Sequence, residues 1–299
     1  MRSIRPRLAT APATGRFTLA SVRPSSRVIR LGAAVAFVAA AAPSWADMPE
    51  RVVSMNLCTD QLAMMLAAPG QLISVSDIAT DPLISPMHLE AAAYPANFGG
   101  AEEIYLLRPD LVLAGVYSDP AVVSMLRRLR VEVAQIDIVT GLDQVTDRLA
   151  EVGALLHREE EAAARAEAFE TDLDALTRPE TGPRAAFYYP NGYSLGTGTL
   201  SHEILTTAGF RHIADELGRD SSGRLALELL AVAAPDVVIS TGTYPGNSRS
   251  EDILHHPALE ALIAAGQGHV SGPDWVCGTP QVLTALSDLT TLRDGMEAE

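Results

Sequence analysis

From Thr140 to Leu176 apolar residues recur at Leu142, Val145, Leu149, Val152 and Leu156, and then at Ala163, Ala166, Phe169, Leu173 and Leu176. Steps of three and four place all of them on one stripe of a helix. Thr140 and Asp143 offer a capping box at its start, and Pro179, Gly182 and Pro183 forbid continuation past its end. A single helix over 140–178, at ~1.5 Å per residue, would run roughly 50 Å and cross a whole domain. Gly153 is the point inside it where a kink could enter. The opposite face is charged (Arg158, Glu159, Glu160, Glu161, Arg165), so the stripe alone also fits an ordinary surface helix.

The flanks share one grammar. On the N-terminal side a short strand, Arg51 to Met55, is followed by a polar loop and cap from Asn56 to Asp60, a helix through Leu66 and a second strand, Leu72 to Val75: a βαβ unit. A polar stretch over 77–100 mixes loop and short helix. A helix from Ala101 to Leu107 then leads through Arg108-Pro109-Asp110 into the apolar strand Leu111 to Ala114, a helix near 121–129 and a strand near 133–136.

On the C-terminal side Arg184 to Tyr189 reads as a strand, 190–198 as a glycine-rich loop and Ser201 to Ala208 as a helix. A helix from Leu225 to Ala233 precedes Pro235-Asp236 and the strand Val237 to Ile239. A helix from Pro257 to Ala265, a strand at His269-Val270, a loop through Trp275 and Cys277, and a closing helix from Pro280 to Arg293 complete the chain. Glu102 stands seven residues before Pro109, and Glu228 seven before Pro235. One Pro-Asp before a strand is ordinary turn chemistry, but two with the same upstream Glu, on either side of the long helix, indicate a duplicated architecture. The pattern predicts two α/β lobes with separate cores and mostly parallel sheets, over 47–139 and 179–299, joined by the helix at 140–178.

Composition changes the picture at the N-terminus. Residues 1–46 hold seven arginines and no acid, then an apolar run from Leu31 to Ala42 that is too short for a bilayer, then Ser44-Trp45-Ala46. These are the parts of a signal peptide cleaved after Ala46, which predicts a secreted, periplasmic protein. Cleavage leaves fifteen basic against thirty-seven acidic residues, a formal charge of −22. Such a surface repels nucleic acid and anionic membrane. There is no lysine, so Schiff-base chemistry and a P-loop lysine are excluded. Cys58 and Cys277 are too few for a disulfide scaffold, and the choice between one bridge, an axial metal ligand and small packing residues stays open.

Catalytic signatures are missing. No Gly-x-Ser-x-Gly elbow follows a strand, and Gly196-Thr197-Gly198 lacks the third glycine of a dinucleotide fingerprint, so no cofactor is expected. The seven histidines are scattered, and the loop after the first strand offers Asn56 and Cys58 where a bare zinc or manganese site would want imidazole. No metal ligand set is expected. Open α/β sheets bind ligands beyond the carboxyl ends of their strands. That rule selects Asn56, Cys58, Val116, Tyr117, Tyr189, Tyr193, Tyr244, Trp275 and Cys277. Four of the seven tyrosines fall in these loops, and flat aromatic walls with few charges suit a large, partly apolar ligand.

The run from Arg51 to Leu62, the segment from Glu102 to Ala114, the central helix and the Asp274-Trp275 loop together resemble the periplasmic binding proteins that serve cobalamin and ferric-siderophore ABC importers. The resemblance covers nearly all of the chain after residue 46. It implies a non-enzymatic monomer of two Rossmann-like lobes on a rigid helix, with a metal chelate held between them. Asn56, Cys58, Tyr117, Tyr189, Tyr193, Tyr244 and Trp275 would then face the ligand. Glu102 and Glu228 fall where the family meets arginines of its membrane permease, which an ATPase drives. Only Arg224 and Arg249 lie near candidate loops, a shortage that disfavours anionic siderophores. The implied order of ligands is cobalamin or another corrinoid, then haem, then a ferric siderophore. A protein binding a bare transition-metal ion and a periplasmic enzyme on the same fold are the alternatives.

Overall fold

A computed structural model describes residues 48–242 and 248–298. The expected signal peptide and Tyr244 lie outside the described residues. The N-terminal lobe runs β1 (Val52–Ser54), α1 (Leu57–Leu66), β2 (Leu72–Ser76), α2 (His88–Ala91), β3 (Ala96–Asn97), α3 (Ala101–Leu106), β4 (Leu111–Gly115), α4 (Pro120–Arg128) and β5 (Glu132–Ile136). Two connecting helices follow, α5 (Gln144–Leu156) and α6 (Glu159–Leu176). The C-terminal lobe holds β6 (Arg184–Phe187), β7 (Tyr193–Ser194), α7 (Leu200–Thr207), β8 (Arg211–His212), α8 (Ile213–Glu216), β9 (Gly223–Arg224), α9 (Leu227–Ala233), β10 (Val237–Thr241), α10 (Pro257–Ala265), β11 (Gln267–Ser271) and α11 (Val282–Ala298).

Both main sheets are parallel throughout, in the orders β3-β2-β1-β4-β5 and β8-β6-β10-β11. Superposing the roles of β1 with β6 and β4 with β10 makes the second order a copy of the first without its outermost strand. The duplication extends to side chains. Asp110 accepts the Arg51 backbone N–H at 3.0 Å, and Asp236 accepts that of Arg184 at 2.8 Å, so each Pro-Asp clamps the first strand of its lobe. The arginines return the contact to the preceding helix: Arg51 donates to the carbonyls of Leu107 and Arg108, and Arg184 to those of Ala233 and Ala234. Orphan carbonyls at the ends of α3 and α9 are satisfied in the same way. A short antiparallel pair, β7 with β9, sits beside the second sheet.

The connector departs from the expected single helix. Residue His157 adopts a left-handed conformation (φ 54°), ends α5, and lets the Arg158 N–H reach the Gly153 carbonyl at 2.7 Å. This is a Schellman-type stop built on a non-glycine residue. Gly153 is no kink: a Cβ there would stand 2.4 Å from the Ala162 Cβ, so the missing side chain is what lets α5 and α6 touch. Across the break the buried stripe shifts by one position, with Ala162 buried and Ala163 exposed. At the start of α5 it is Gln144, not Asp143, that exchanges hydrogen bonds with Thr140.

The separate cores expected for the two lobes are also corrected. One continuous cluster of buried residues runs from Leu62 and Leu113 through Leu149 and Phe169 to Phe187 and Leu289. Smaller clusters back the outer faces of the two sheets. No helix among the described residues is long and apolar enough to cross a membrane.

Candidate ligand-binding cleft

The N-terminal wall is made where β1, β4 and β5 end. Asn56 caps α1, its Oδ1 accepting from the backbone N–H groups of Cys58 at 3.1 Å and Thr59 at 3.4 Å. A Cβ on Gly115 would come within 3.1 Å of the Asn56 amide, so glycine at the end of β4 gives that side chain its place. Tyr117, on the loop that follows, is 82% exposed. Together with Ile138, Val139 and Arg148 these residues line a cavity of about 120 Å³, to which Cys58, Val276 and Gly278 also contribute. Four of the residues expected from sequence, Asn56, Cys58, Val116 and Tyr117, therefore share one cavity.

Arg148 was not among them. It comes from α5, pairs with Glu151 at 2.6 Å, and leaves its Nε buried without a partner among the described residues. The loop at the end of β5 could have been selected by the strand-end rule, but nothing in sequence brings a residue of the next helix to the same wall.

In the C-terminal lobe, Phe187, Tyr189, Tyr193 and Trp275 form an aromatic group at the strand ends, and none of them lines the cavity that holds Asn56. Phe187 ends β6 and stacks on Tyr189 with ring centroids 6.1 Å apart, and the Tyr189 hydroxyl lies 3.4 Å from Ser271 Oγ at the end of β11. Burial raises the Tyr189 phenol above its ordinary pKa, which keeps it neutral. Tyr193 folds back to accept the Tyr189 N–H at 2.7 Å and is 44% exposed. Trp275 is only 7% exposed; its ring meets Phe187 edge-on at 5.8 Å and backs the group from within.

A seam closes the bottom. Cys58 and Cys277 form a disulfide with a Cα–Cα distance of 5.2 Å, which resolves the alternatives left open for them. Beside it Thr279 donates to the buried Gln61 Oε1 at 2.8 Å, and a Cβ on Gly278 would lie 2.1 Å from the Val139 Cβ. The segment leading into α11 is thus fixed to the N-terminal lobe covalently, by a hydrogen bond and by close packing.

Glu102 and Glu228 are exposed in the first turns of α3 and α9. The neighbouring Glu103 accepts the Phe98 N–H at 2.9 Å. Glu228 also edges a groove of about 650 Å³ with Arg224 and Tyr188, separate from the cleft cavity. His202 and His212, scattered in the sequence, meet with Nδ1 atoms 3.1 Å apart. Burial, with the neighbouring His202, lowers the His212 pKa to about 4, so this imidazole is neutral.

Residues 52–272 match the family described as periplasmic binding protein. A protein of Halobacterium salinarum named "Cobalamin-binding protein" is 29% identical over 199 residues, covering 64% of this chain and 54% of its own length. The chain thus spans about half the length of the curated relatives it matches. Among solved structures, a periplasmic haem-binding protein from Pseudomonas aeruginosa has a TM-score of 0.67 at 20% identity, covering 82% of this chain and 92% of the other. A periplasmic vitamin B12 binding protein of Vibrio cholerae has a TM-score of 0.61 at 20% identity, covering 84% and 99%. At these identities the two structures bear on the fold alone.

Proposed function

Because the chain belongs to the periplasmic binding protein family, we propose that it is the solute-capturing component of an ABC importer and holds a metal chelate between its lobes. Cobalamin or another corrinoid is the first choice, haem the second and a ferric siderophore the third. The family is one of non-enzymatic transport components, so no catalytic step is assigned.

The observation that carries the order is the charge of the walls. Arg148 is the one arginine lining the cleft cavity among the described residues, and Glu151 already pairs with it. Anionic siderophores and haem propionates call for several charge-assisted contacts. Apolar and aromatic walls with a few convergent polar groups suit a large ligand of low net charge. The name of the Halobacterium relative agrees with that reading.

Asn56, Tyr117, Tyr189 and Tyr193, with Tyr244, are the residues proposed to face the ligand; Cys58 and Trp275 shape the floor and back of the site. Glu102 and Glu228, at equivalent points of two duplicated lobes, are proposed to dock arginines of a membrane permease that an ATPase drives. The protein would act as a periplasmic monomer. Incubation with cobalamin, haem and a panel of ferric siderophores, followed by removal of free ligand and absorbance of the protein fraction, tests the assignment. Retention of cobalamin at one equivalent is expected; retention of none of the panel would overturn the chelate reading.

A further inference from the structure

Outside the cleft, the C-terminal lobe contains a cluster that the transport reading does not use. His202 lies in the first turn of α7, His212 ends β8, and Asp215 lies in α8. One ligand atom from each falls within 4.8 Å of the others. His212 is 1% exposed, and its two ring nitrogens have different surroundings. Its Nδ1 faces His202 Nδ1 at 3.1 Å, while its Nε2 is buried with no partner among the described residues.

The facing Nδ1 atoms have room for only one proton between them, so at least one of the two presents a lone pair to the other. A cation between the facing Nδ1 atoms takes a lone pair from each ring in place of a shared proton, and Asp215 supplies the negative charge; the His212 Nε2 stays outside this ligand set. Two imidazoles and one carboxylate, with a fourth position open to water on the exposed Asp215 side, form a ligand set for zinc.

We propose that His202, His212 and Asp215 form a binding site for a first-row divalent cation, zinc by its donor set, that ties α7, β8 and α8 together. The site stands apart from the chelate reading, because none of the three residues lines the cleft cavity. It does touch the aromatic group, since the His212 ring packs edge-on against Phe187 at 5.1 Å. An ion there holds His212, and through it Phe187, in a fixed position behind the ligand.

The test uses the full chain, free of any purification tag and stripped with a chelator, titrated with Co²⁺ and followed by its visible d–d absorption. The bands of a low-coordinate nitrogen and oxygen site should saturate at one equivalent and bleach on adding one equivalent of Zn²⁺. Magnesium should leave them unchanged. His202→Ala should weaken Co²⁺ binding at least tenfold, and Asp215→Asn, at an exposed position, gives the same reading should the first variant fail to fold. His255→Ala, which removes an exposed histidine elsewhere, should change nothing. Absence of saturable bands, or bands undiminished in Asp215→Asn and in folded His202→Ala, would overturn the site.

Discussion

Replacing Asp60 with Asn removes a carboxyl that lies fully buried in α1, where it accepts the Ser76 backbone N–H at 3.1 Å and the Ser76 hydroxyl. Burial raises its pKa from 3.8 to about 6, against the opposing effect of the hydrogen bonds from Ser54 and Ser76. At ~1.36 kcal/mol for each pH unit, that gap is worth about 3 kcal/mol. The folded state keeps this proton to higher pH than the unfolded state, so between about pH 4 and pH 6 it binds more protons and stability falls as pH rises. The contribution is fully present below the unfolded pKa and lost above the folded one. His212, with its depressed pKa, acts in the opposite sense over the same window, but it does so equally in both proteins and cancels in their difference. Urea unfolding of the two chains from about pH 4 to pH 7 reads the effect. The stability of wild type minus that of Asp60→Asn should drop by about 2 kcal/mol across that range, most of the full gap. A difference that stays flat would show that Asp60 is not held protonated by burial.

The Cys58→Ser/Cys277→Ser double variant opens a link across 219 residues. A chain-entropy estimate puts the loss at about 5 kcal/mol, and urea unfolding measures it, with the slope fitted separately because opening the loop expands the denatured state. In the intact protein the seam and the two-helix connector together should permit only a small rotation on binding, so solution scattering with and without cobalamin should differ little; a large compaction contradicts this. Gly153→Ala should destabilise by about 1–3 kcal/mol, because its Cβ would meet Ala162, and thermal unfolding checks it. Reversing the charges of Glu102 and Glu228 together should leave cobalamin affinity unchanged and abolish uptake in cells; a loss of affinity would place the pair in the ligand site.

The strands and both Pro-Asp motifs were legible because their signal is local: a proline, an aspartate and an apolar run fix a turn and a buried strand wherever they occur. Repetition of Glu102 and Glu228 at one spacing carried the duplication without any tertiary knowledge. The break at His157 was not legible, because α5 and α6 face the same core and keep apolar steps of three and four on both sides of it. Only the slip from Ala163 to Ala162 marks the change of direction, and a single alanine is too weak a signal. Gly153 was visible as an irregularity but read in the wrong sense, since closeness to Ala162 is a fact of packing and not of helix propensity. Arg148, the disulfide and the His202–His212 pair depend on contacts between elements, which no periodicity encodes. Tyr117 and Trp275 looked alike as loop aromatics, yet one is 82% exposed and the other 7%. The difference lies in whether a neighbouring ring, Phe187, is within reach.

Hydrogen exchange with and without bound cobalamin locates the ligand on the two lobes. Protection is expected in the strand-end loops over 115–118 and 137–139 of one lobe and over 188–193 and 269–276 of the other, with the faces carrying Glu102 and Glu228 unchanged. Protection confined to the groove beside Arg224 and Glu228, or to one lobe alone, would contradict capture between the lobes.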